Sequence, residues 1–481
     1  MIPASQPMRA FRTLPMLGVL LMVGCATRPS SSLPAVQRAV AERGAPAVGW
    51  PQSAEEQTAS DRTVASILAN ELTPDAAVQI ALLNNRGLRA TLEDLGVAEA
   101  DLMAAGRLHN PTFAASLRWP DHRPRSPNVG LSLVADLLDD LLIPVRKRVA
   151  REQLARAERR VSHEVLALAA EVKTAALTVQ GRQQFRARLV AIGDVNAAAA
   201  DLAQRQYDAG NINRLELVNQ QVLAQETKLE LVRTDAQLRA DREKLNRLLG
   251  LAGSQTGWKM SEAMPAMPAS EITFDHLEER ALAQRLDLAA AKSQVTLAEA
   301  ALGLRRNTRF LPASVGVGVE TEREVDGSRI TGPTLEIGLP IFDQGQADMA
   351  RLDAERRRAV SSFEALANDI RSEARQARDA LLAARETAEY LETTLLPQRR
   401  LLLRETLLHY NAMQKSNYEL LAAKERLLVA ERESLEALRD YWIARAELER
   451  AIGGGLPAVP PAAEAVPKAE PAPEHQHQPA K

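Results

Sequence analysis

Cysteine, aromatic residues and net charge are all scarce in this chain of 481 residues. Aromatic side chains make up 3% of the residues, and 60 basic residues are balanced by 62 acidic ones. A balanced charge gives no field that would attract nucleic acid or another polyanion. A composition dominated by alanine, leucine, arginine and glutamate, with so few aromatics, favours long helices over an ordinary compact core.

The N-terminal apolar run is too short to cross a bilayer. It extends from Leu14 to Gly24, follows two arginines, and ends at Cys25, the only cysteine of the chain. These features predict an export signal peptide over residues 1–24. A small residue before a lone cysteine resembles the lipobox of bacterial lipoproteins, although Met22 replaces the usual leucine. We therefore predict that Cys25 is acylated and that residues 25–71 form a lipidated segment. The alternative is an ordinary signal peptide with an incidental cysteine.

Signatures of enzymes are missing as well. The sequence "HEVLA" at His163 begins like a zinc-protease helix, but Ala167 stands where the second histidine is needed. No glycine-rich phosphate loop follows a predicted strand. We predict that the protein is not an enzyme and holds no cofactor.

The sequence contains an internal repeat. "QYDAGNINRLEL" at residues 206–217 returns as "HYNAMQKSNYEL" at residues 409–420, a shift of 203. Upstream, "TPDAAVQIALLNNRGLRA" from Thr73 aligns with "TFDHLEERALAQRLDLAA" from Thr273, a shift of 200. A shift that changes so little indicates duplication. We predict a first repeat at 72–253, a linker at 254–272 and a second repeat at 273–453.

Each repeat is predicted to contain a helical stretch, a strand pair, a very long helix, a turn and another helix. The helical stretches are 73–107 and 273–308. Between Val145 and Tyr207 there is no proline, so one helix of about 95 Å is expected. Apolar residues at alternating spacings of four and three predict a coiled-coil seam at Val161, Val165, Leu168, Val172, Ala175 and Val179. In the second repeat, a seam is expected at Leu421, Leu428, Leu435 and Trp442. Pro397 is expected to kink the second long helix.

Four short segments alternate between apolar and small or polar residues. They are Thr112–Trp119, Asn128–Ala135, 314–320 and 334–341. Such strands suit a barrel in an outer membrane, and the alternative is two soluble hairpins with one face packed on helices. Four strands cannot close a barrel, and an open sheet edge does not survive in lipid. Three copies of the chain would supply twelve strands.

The duplicated pattern resembles the TolC-like outer-membrane efflux protein family. The same resemblance is carried by "LPIFDQGQADMARLDAERRRA" (Leu339–Ala359) and by "YDAGNINRLELVNQQ" from Tyr207, and it covers about residues 60–453. It implies an α+β membrane protein. Three chains would form a homotrimer with a 12-stranded β-barrel that continues as a long α-helical barrel. It also implies an outer-membrane location reaching into the periplasm, with a periplasmic adaptor and an inner-membrane pump as partners. The lipobox fits the lipidated branch.

The resemblance also assigns roles at the helix tips, where Tyr207 and Gly210 belong to the tip motif. Glu216 and Glu419 fall at acidic positions that line the periplasmic aperture. Tyr410 falls at a latching tyrosine, and Lys415 at its basic partner. A ring of carboxylates would concentrate cations and raise the pKa of its members. The alternative is that both glutamates are solvated helix-surface residues.

The C-terminal residues 454–481 are rich in proline and alanine and are predicted to be disordered. Within them, His475 and His477 could loosely hold a transition metal. We therefore predict a passive exit duct for drugs, metal ions or other small solutes. The alternatives are a lipidated periplasmic adaptor and a structural coiled-coil protein.

Overall fold

Long antiparallel helices with one small sheet at one end make up the fold. The computed structural model describes residues 32–122, 126–261, 264–271, 274–312 and 314–456. Among these residues, no helix combines the length and the apolar character needed to cross a lipid bilayer.

The predicted duplication is present in the order of elements. Two helices precede the first repeat: α1 (Leu33–Ala41) and α2 (Ala54–Leu68). The first repeat contains α3 (Pro74–Asn84), α4 (Arg86–Ala105), β1 (Thr112–Arg118), β2 (Asn128–Asp136), α5 (Leu137–Leu141), α6 (Ile143–Asp208) and α7 (Arg214–Leu249). The second contains α8 (Leu277–Gln284), α9 (Leu286–Thr308), β3 (Val315–Arg323), β4 (Arg329–Ile337), α10 (Gln346–Tyr390), a π-helical turn (Leu391–Leu395), α11 (Leu396–Asn411) and α12 (Asn417–Ala451).

Helix α6 is the longest element, with 66 residues and hence a length of about 100 Å. Five of the six residues predicted for its seam are buried, and Leu168 packs against them. The seam of α12 differs from the prediction, because the leucines at the predicted positions are only half-buried. The fully packed heptad positions are instead Ala423, Ala430 and Ala437. Small residues there allow close approach of the neighbouring helices.

The stretches predicted at 73–107 and 273–308 are helical, and each is divided into two helices by a break at one residue. Asn85 has φ −64° and ψ 119°, and Arg285 has φ −66° and ψ 119°. The Asn85 amide donates to the carbonyl of Leu248, 2.7 Å away. The Arg285 guanidinium donates to the carbonyl of Ala451, 3.3 Å away. These are equivalent bonds in the two repeats, so each break is anchored to the end of the repeat's last helix.

The N-terminal helices share the core of the first repeat. Val36, Val40 and Val64 are buried in one apolar cluster with residues of α3, α4 and α6. Arg43 then joins the two repeats, because its guanidinium donates to the carbonyl of Gln284 and its own carbonyl accepts from the Gly455 N–H. This segment therefore fastens the start of the chain to both repeats.

The sheet is antiparallel with strand order β1-β2-β3-β4, so β1 and β4 are edge strands. Its register confirms the predicted alternation. One row across the four strands joins Phe113, Leu133, Val319 and Pro333. The neighbouring row on the other face joins Thr112, Val134, Gly318 and Thr334, of which all but Val134 are small or polar.

The last strand was predicted in the wrong place. It spans Arg329–Ile337 and not 334–341, because it pairs with β3 from Arg323 opposite Arg329 to Val315 opposite Ile337. Strand β3 begins at Val315, so it has no residue left to pair with β4 beyond Ile337. The sequence signal for the first half of β4 is weak because Pro333 interrupts it. Within one chain β4 is an edge strand, a position where proline is tolerated.

A local change of helix type lies next to Pro397, the residue at which a kink is predicted. Residues Leu391–Leu395 form a π-helical turn, and Pro397 lies in the first turn of α11 that follows. Proline has no N–H to donate to the carbonyl four residues earlier, so the regular pattern cannot run through this point.

Candidate functional site

The two helical-hairpin turns lie level with each other at the end of the molecule opposite the sheet. Helices α6 and α12 are antiparallel neighbours, with Gly181 against Arg439, and with Lys424 Nζ donating to Asn196 Oδ1 at 3.1 Å. Fifteen residues separate the contacts along each helix. Continuing that register by seven residues brings Ala203, near the end of α6, level with Asn417, the first residue of α12.

The first turn ends α6 with a left-handed glycine. Gly210 has φ 77°. Its N–H donates to the carbonyl of Tyr207 at 2.9 Å, and the Asn211 N–H donates to the carbonyl of Gln206 at 2.8 Å. This pair of bonds satisfies helix carbonyls that would otherwise lack a partner.

The second turn has the same geometry without a glycine. Met413 takes φ 58°, and its N–H donates to the carbonyl of Tyr410 at 2.9 Å. The Gln414 N–H donates to the carbonyl of His409, again at 2.9 Å. The second turn therefore forms in full, with a strained methionine that is 96% exposed.

Glu216 and Glu419 are each the third residue of the helix that follows a turn. The Asn213 side chain accepts from the Glu216 N–H at 2.9 Å. Ser416 and Glu419 form a capping box: the serine hydroxyl accepts from the Glu419 N–H, and Glu419 Oε2 accepts from the Ser416 N–H at 3.0 Å. Helix capping thus gives the Glu419 side chain a structural role, whereas at Glu216 it is the backbone N–H that takes part in the cap.

Lys415 forms an ion pair with Glu419, with Nζ 2.6 Å from Oε1. The bond from Lys415, together with the bond from the Ser416 N–H, lowers the pKa of Glu419 below its ordinary value. Within one chain this is the reverse of the raised pKa expected from a carboxylate ring. A carboxylate that is fixed by Lys415 is held charged and oriented beside the turn.

The two tyrosines of the tip are equally exposed. Tyr207 and Tyr410 are each 38% exposed. The other predicted site residues, Cys25, His475 and His477, lie outside the described residues. Among the residues that are described, no three histidine, cysteine, aspartate or glutamate side chains are grouped so that they could hold a metal.

A buried charged cluster in the linker was missed by the sequence analysis. Glu271 accepts from the Tyr441 hydroxyl and from Arg445 at 2.8 Å, and it also pairs with Arg385 at 3.4 Å. Burial, and then the bond to Glu271, raise the pKa of Tyr441 to about 12. Glu271 is the one member of the cluster that belongs to the linker, and its partners are more than a hundred residues away along the chain. Local sequence pattern therefore gives no sign of the cluster. The cluster ties the linker to α10 and α12.

Comparison with known proteins agrees with this architecture. A family model described as "Outer membrane efflux protein" matches residues 77–251, which is the first repeat. The cobalt-zinc-cadmium resistance protein CzcC of Cupriavidus metallidurans is 24% identical, over 80% of this chain and 91% of its own length. The outer membrane protein OprJ of Pseudomonas aeruginosa is 27% identical, over 93% of this chain and 96% of its own length.

Solved structures share the fold. The Campylobacter jejuni CmeC outer membrane channel has a TM-score of 0.69 at 15% identity, covering 87% of this chain and 92% of that one. CusC has a TM-score of 0.68 at 18% identity, covering 80% of this chain and 93% of that one. The first repeat thus matches the outer membrane efflux protein family, and the full-length relatives and the solved structures are similar to the chain over both repeats.

Proposed function

We propose that this protein is the exit duct of an efflux system, a passive channel made of three chains in the outer membrane. The observation that carries the proposal is the sheet: four strands with an exposed apolar face and two open edges, placed at the far end of helices about 100 Å long.

The apolar face of the sheet has the character of a lipid-facing surface. Phe113 is 65% exposed, and Leu133, Val319 and Leu335 on the same face are also exposed. A soluble protein rarely leaves such a continuous apolar patch in water. Three of the four strands have nine residues, the lower end of the roughly nine to eleven that span a bilayer when tilted in a barrel.

The open edges of the sheet require further copies of the chain. The backbone groups of β1 and β4 that face away from the sheet have no partner strand in one chain, and they cannot remain so in lipid. The smallest single-chain membrane barrels have about eight strands. Three chains would pair each β4 with the β1 of the next copy and close twelve strands around a water-filled path.

The N-terminal segment supports a lipid anchor at Cys25. Ser32 is buried, and its N–H donates to Glu99 at 2.5 Å. Glu99 lies near the sheet end of α4, six residues before Ala105. Seven residues lead from Cys25 to Ser32, and they reach up to about 25 Å when extended. An acyl group on Cys25 can therefore reach the membrane that holds the sheet.

Partners and cargo follow from the same proposal. A passive duct would depend on an energised inner-membrane pump, and a periplasmic adaptor would join the pump to the tip turns. We propose that the cargo is a small solute, without naming its chemical class. Metal cations are the first class to test, because one full-length relative is named for cobalt, zinc and cadmium resistance. Growth of a deletion strain on metals and on drugs separates the two classes.

A periplasmic adaptor and a structural coiled-coil spacer are the rival functions. Neither has a use for a sheet with an exposed apolar face and open edges. We expect detergent-extracted protein to have the mass of three chains and to form ion-conducting pores in planar bilayers. A monomer, or a trimer that does not conduct under any applied voltage, would eliminate the duct.

A further inference from the structure

We propose that the junction between sheet and helices binds the anionic headgroups of phospholipids in the periplasmic leaflet of the membrane. The binding surface has two parts. The basic collar consists of Lys147, Arg148, Arg151 and Arg306, and the apolar rim consists of Leu141, Phe310 and Phe342. This inference rests on the proposed position of the sheet in the membrane.

The collar concentrates charge of one sign in a protein whose overall charge is balanced. Residues 143–151, at the start of α6, contain four basic residues and no acidic one. Residues 304–310, at the end of α9, contain three basic residues and no acidic one. In the described part of the chain, the four collar residues make no ion pair, although Asp348 and Asp140 nearby are engaged by Arg305 and His109.

The two halves of the collar lie at the same level. The Arg159 guanidinium of α6 donates to the Ser293 hydroxyl of α9. Twelve residues back along α6 is Lys147, and twelve residues forward along the antiparallel α9 is Arg305, next to Arg306. The charges therefore form one band across neighbouring helices and are not scattered along them.

The band lies at the depth of the lipid headgroups. Lys147 is four residues inside α6, which places it about 6 Å below the start of that helix, and Arg151 is about 12 Å below. The headgroup layer of one leaflet is about 5–7 Å thick. Long basic side chains can extend toward it from slightly outside.

The apolar rim lies between this band and the sheet. Phe342 is 95% exposed, and Phe310 and Leu141 are also largely exposed. Phe310 lies where α9 leads into β3, and Phe342 where β4 leads into α10. Aromatic side chains at this depth sit at the boundary between acyl chains and headgroups. An apolar rim next to a cationic band complements an anionic lipid surface better than it complements a second protein.

Flotation of the full protein with vesicles tests the collar. Wild-type protein should need about tenfold less lipid for half-maximal flotation on vesicles with 30% phosphatidylglycerol than on phosphatidylcholine alone. The difference should shrink in 0.5 M salt, which screens exposed charges. A variant carrying Lys147→Gln, Arg148→Gln, Arg151→Gln and Arg306→Gln should show a difference below about threefold.

A matched control removes the same charge elsewhere. Lys228, Arg233, Arg239 and Lys244 are exposed on α7, far from the sheet, and they too form no ion pair within the described residues. Changing these four to glutamine should leave the phosphatidylglycerol preference intact. Phe310→Ser with Phe342→Ser should instead weaken flotation on both kinds of vesicle by similar factors.

Three results would contradict the proposal that the collar binds anionic headgroups. One is an unchanged lipid preference in the collar variant. Another is an equal loss in the control variant. The third is conversion of the collar variant from trimer to monomer, which would place these residues between copies of the chain. Single-channel conductance reports separately on the duct. If the wild type does not conduct, the duct fails, and flotation still decides whether the collar selects anionic lipid.

Discussion

Met413 adopts the same left-handed backbone conformation as Gly210, 203 residues earlier in the chain. The hydrogen bonds around the two residues are also equivalent. The fold therefore imposes one turn geometry on two different residues, and it does so where glycine is favoured.

Replacing Met413 with glycine should stabilise the protein. A residue with a Cβ loses about 1 kcal/mol or more in the left-handed region, and the Met413 side chain has no packing to lose because it is exposed. The thermal midpoint of the detergent-solubilised protein should rise for Met413→Gly. The reciprocal change, Gly210→Ala, should lower it. A fall in the midpoint for Met413→Gly would mean that the methionine makes a stabilising contact in the assembled protein.

Charge at the tip can be separated from helix capping. Glutamine keeps the capping geometry of glutamate, so Glu216→Gln with Glu419→Gln removes only the charge. If these residues line the aperture, the ratio of cation to anion permeability should fall at least about threefold in planar bilayers. The control is Glu226→Ala with Glu433→Ala, two exposed glutamates away from the turns. Equal selectivity in both variants would remove Glu216 and Glu419 from the aperture.

Lys415 should set the pH range in which Glu419 is charged. The lysine lowers the pKa of Glu419, so the stabilisation from this pair is present above the ordinary carboxyl pKa and is lost as pH falls through the lowered value. In Lys415→Met the pKa of Glu419 should rise. Cation selectivity should then be lost at a higher pH than in the wild type, while Lys228→Met leaves the profile unchanged. A profile that moves to lower pH contradicts this assignment.

A glycine follows the last helix of each repeat and packs against the helix break of the same repeat. Gly250 has φ 68°, and a Cβ there would lie 2.7 Å from the Asn84 carbonyl oxygen. Gly453 has φ 76°, and a Cβ there would lie 3.1 Å from the Arg285 backbone. Alanine at either position should cost about 2 kcal/mol, seen as a lower thermal midpoint.

The matched change for these glycines is Gly303→Ala. Gly303 lies inside α9, and a Cβ there would meet nothing within 4 Å. Alanine should therefore raise stability by about 1 kcal/mol through its helix propensity. If all three alanine variants behave alike, the close approach at the helix breaks is not what selects glycine.

The linker cluster should control stability at alkaline pH. The raised pKa of Tyr441 means that its contribution is fully present below pH 10, the ordinary tyrosine value, and is lost as pH rises through about 12. Tyr441→Phe removes a hydrogen bond to a charged acceptor and should cost about 1.5–3 kcal/mol near neutral pH. The exposed Tyr390→Phe is the control. A midpoint difference between Tyr441→Phe and wild type that persists at pH 12 would contradict the assignment.

Much of the architecture was predictable from local pattern. The absence of proline predicted a helix from Val145 to Tyr207, and α6 spans Ile143–Asp208. Alternation predicted strands close to β1, β2 and β3, because the side-chain period of two is a local property. The fourth strand was misplaced because pairing with β3, and not its own composition, determines where it begins and ends.

By itself, the sequence determined the duplication, the long helices and the apolar face of the strands, since each depends on residue spacing along the chain. Only the tertiary structure decided where helices break, which residue takes the left-handed turn, and how Glu271 is satisfied. At Asn85, Arg285 and Met413 the backbone follows hydrogen bonds and register set by other parts of the fold. Because these constraints come from contacts with distant parts of the chain, local propensity does not predict them.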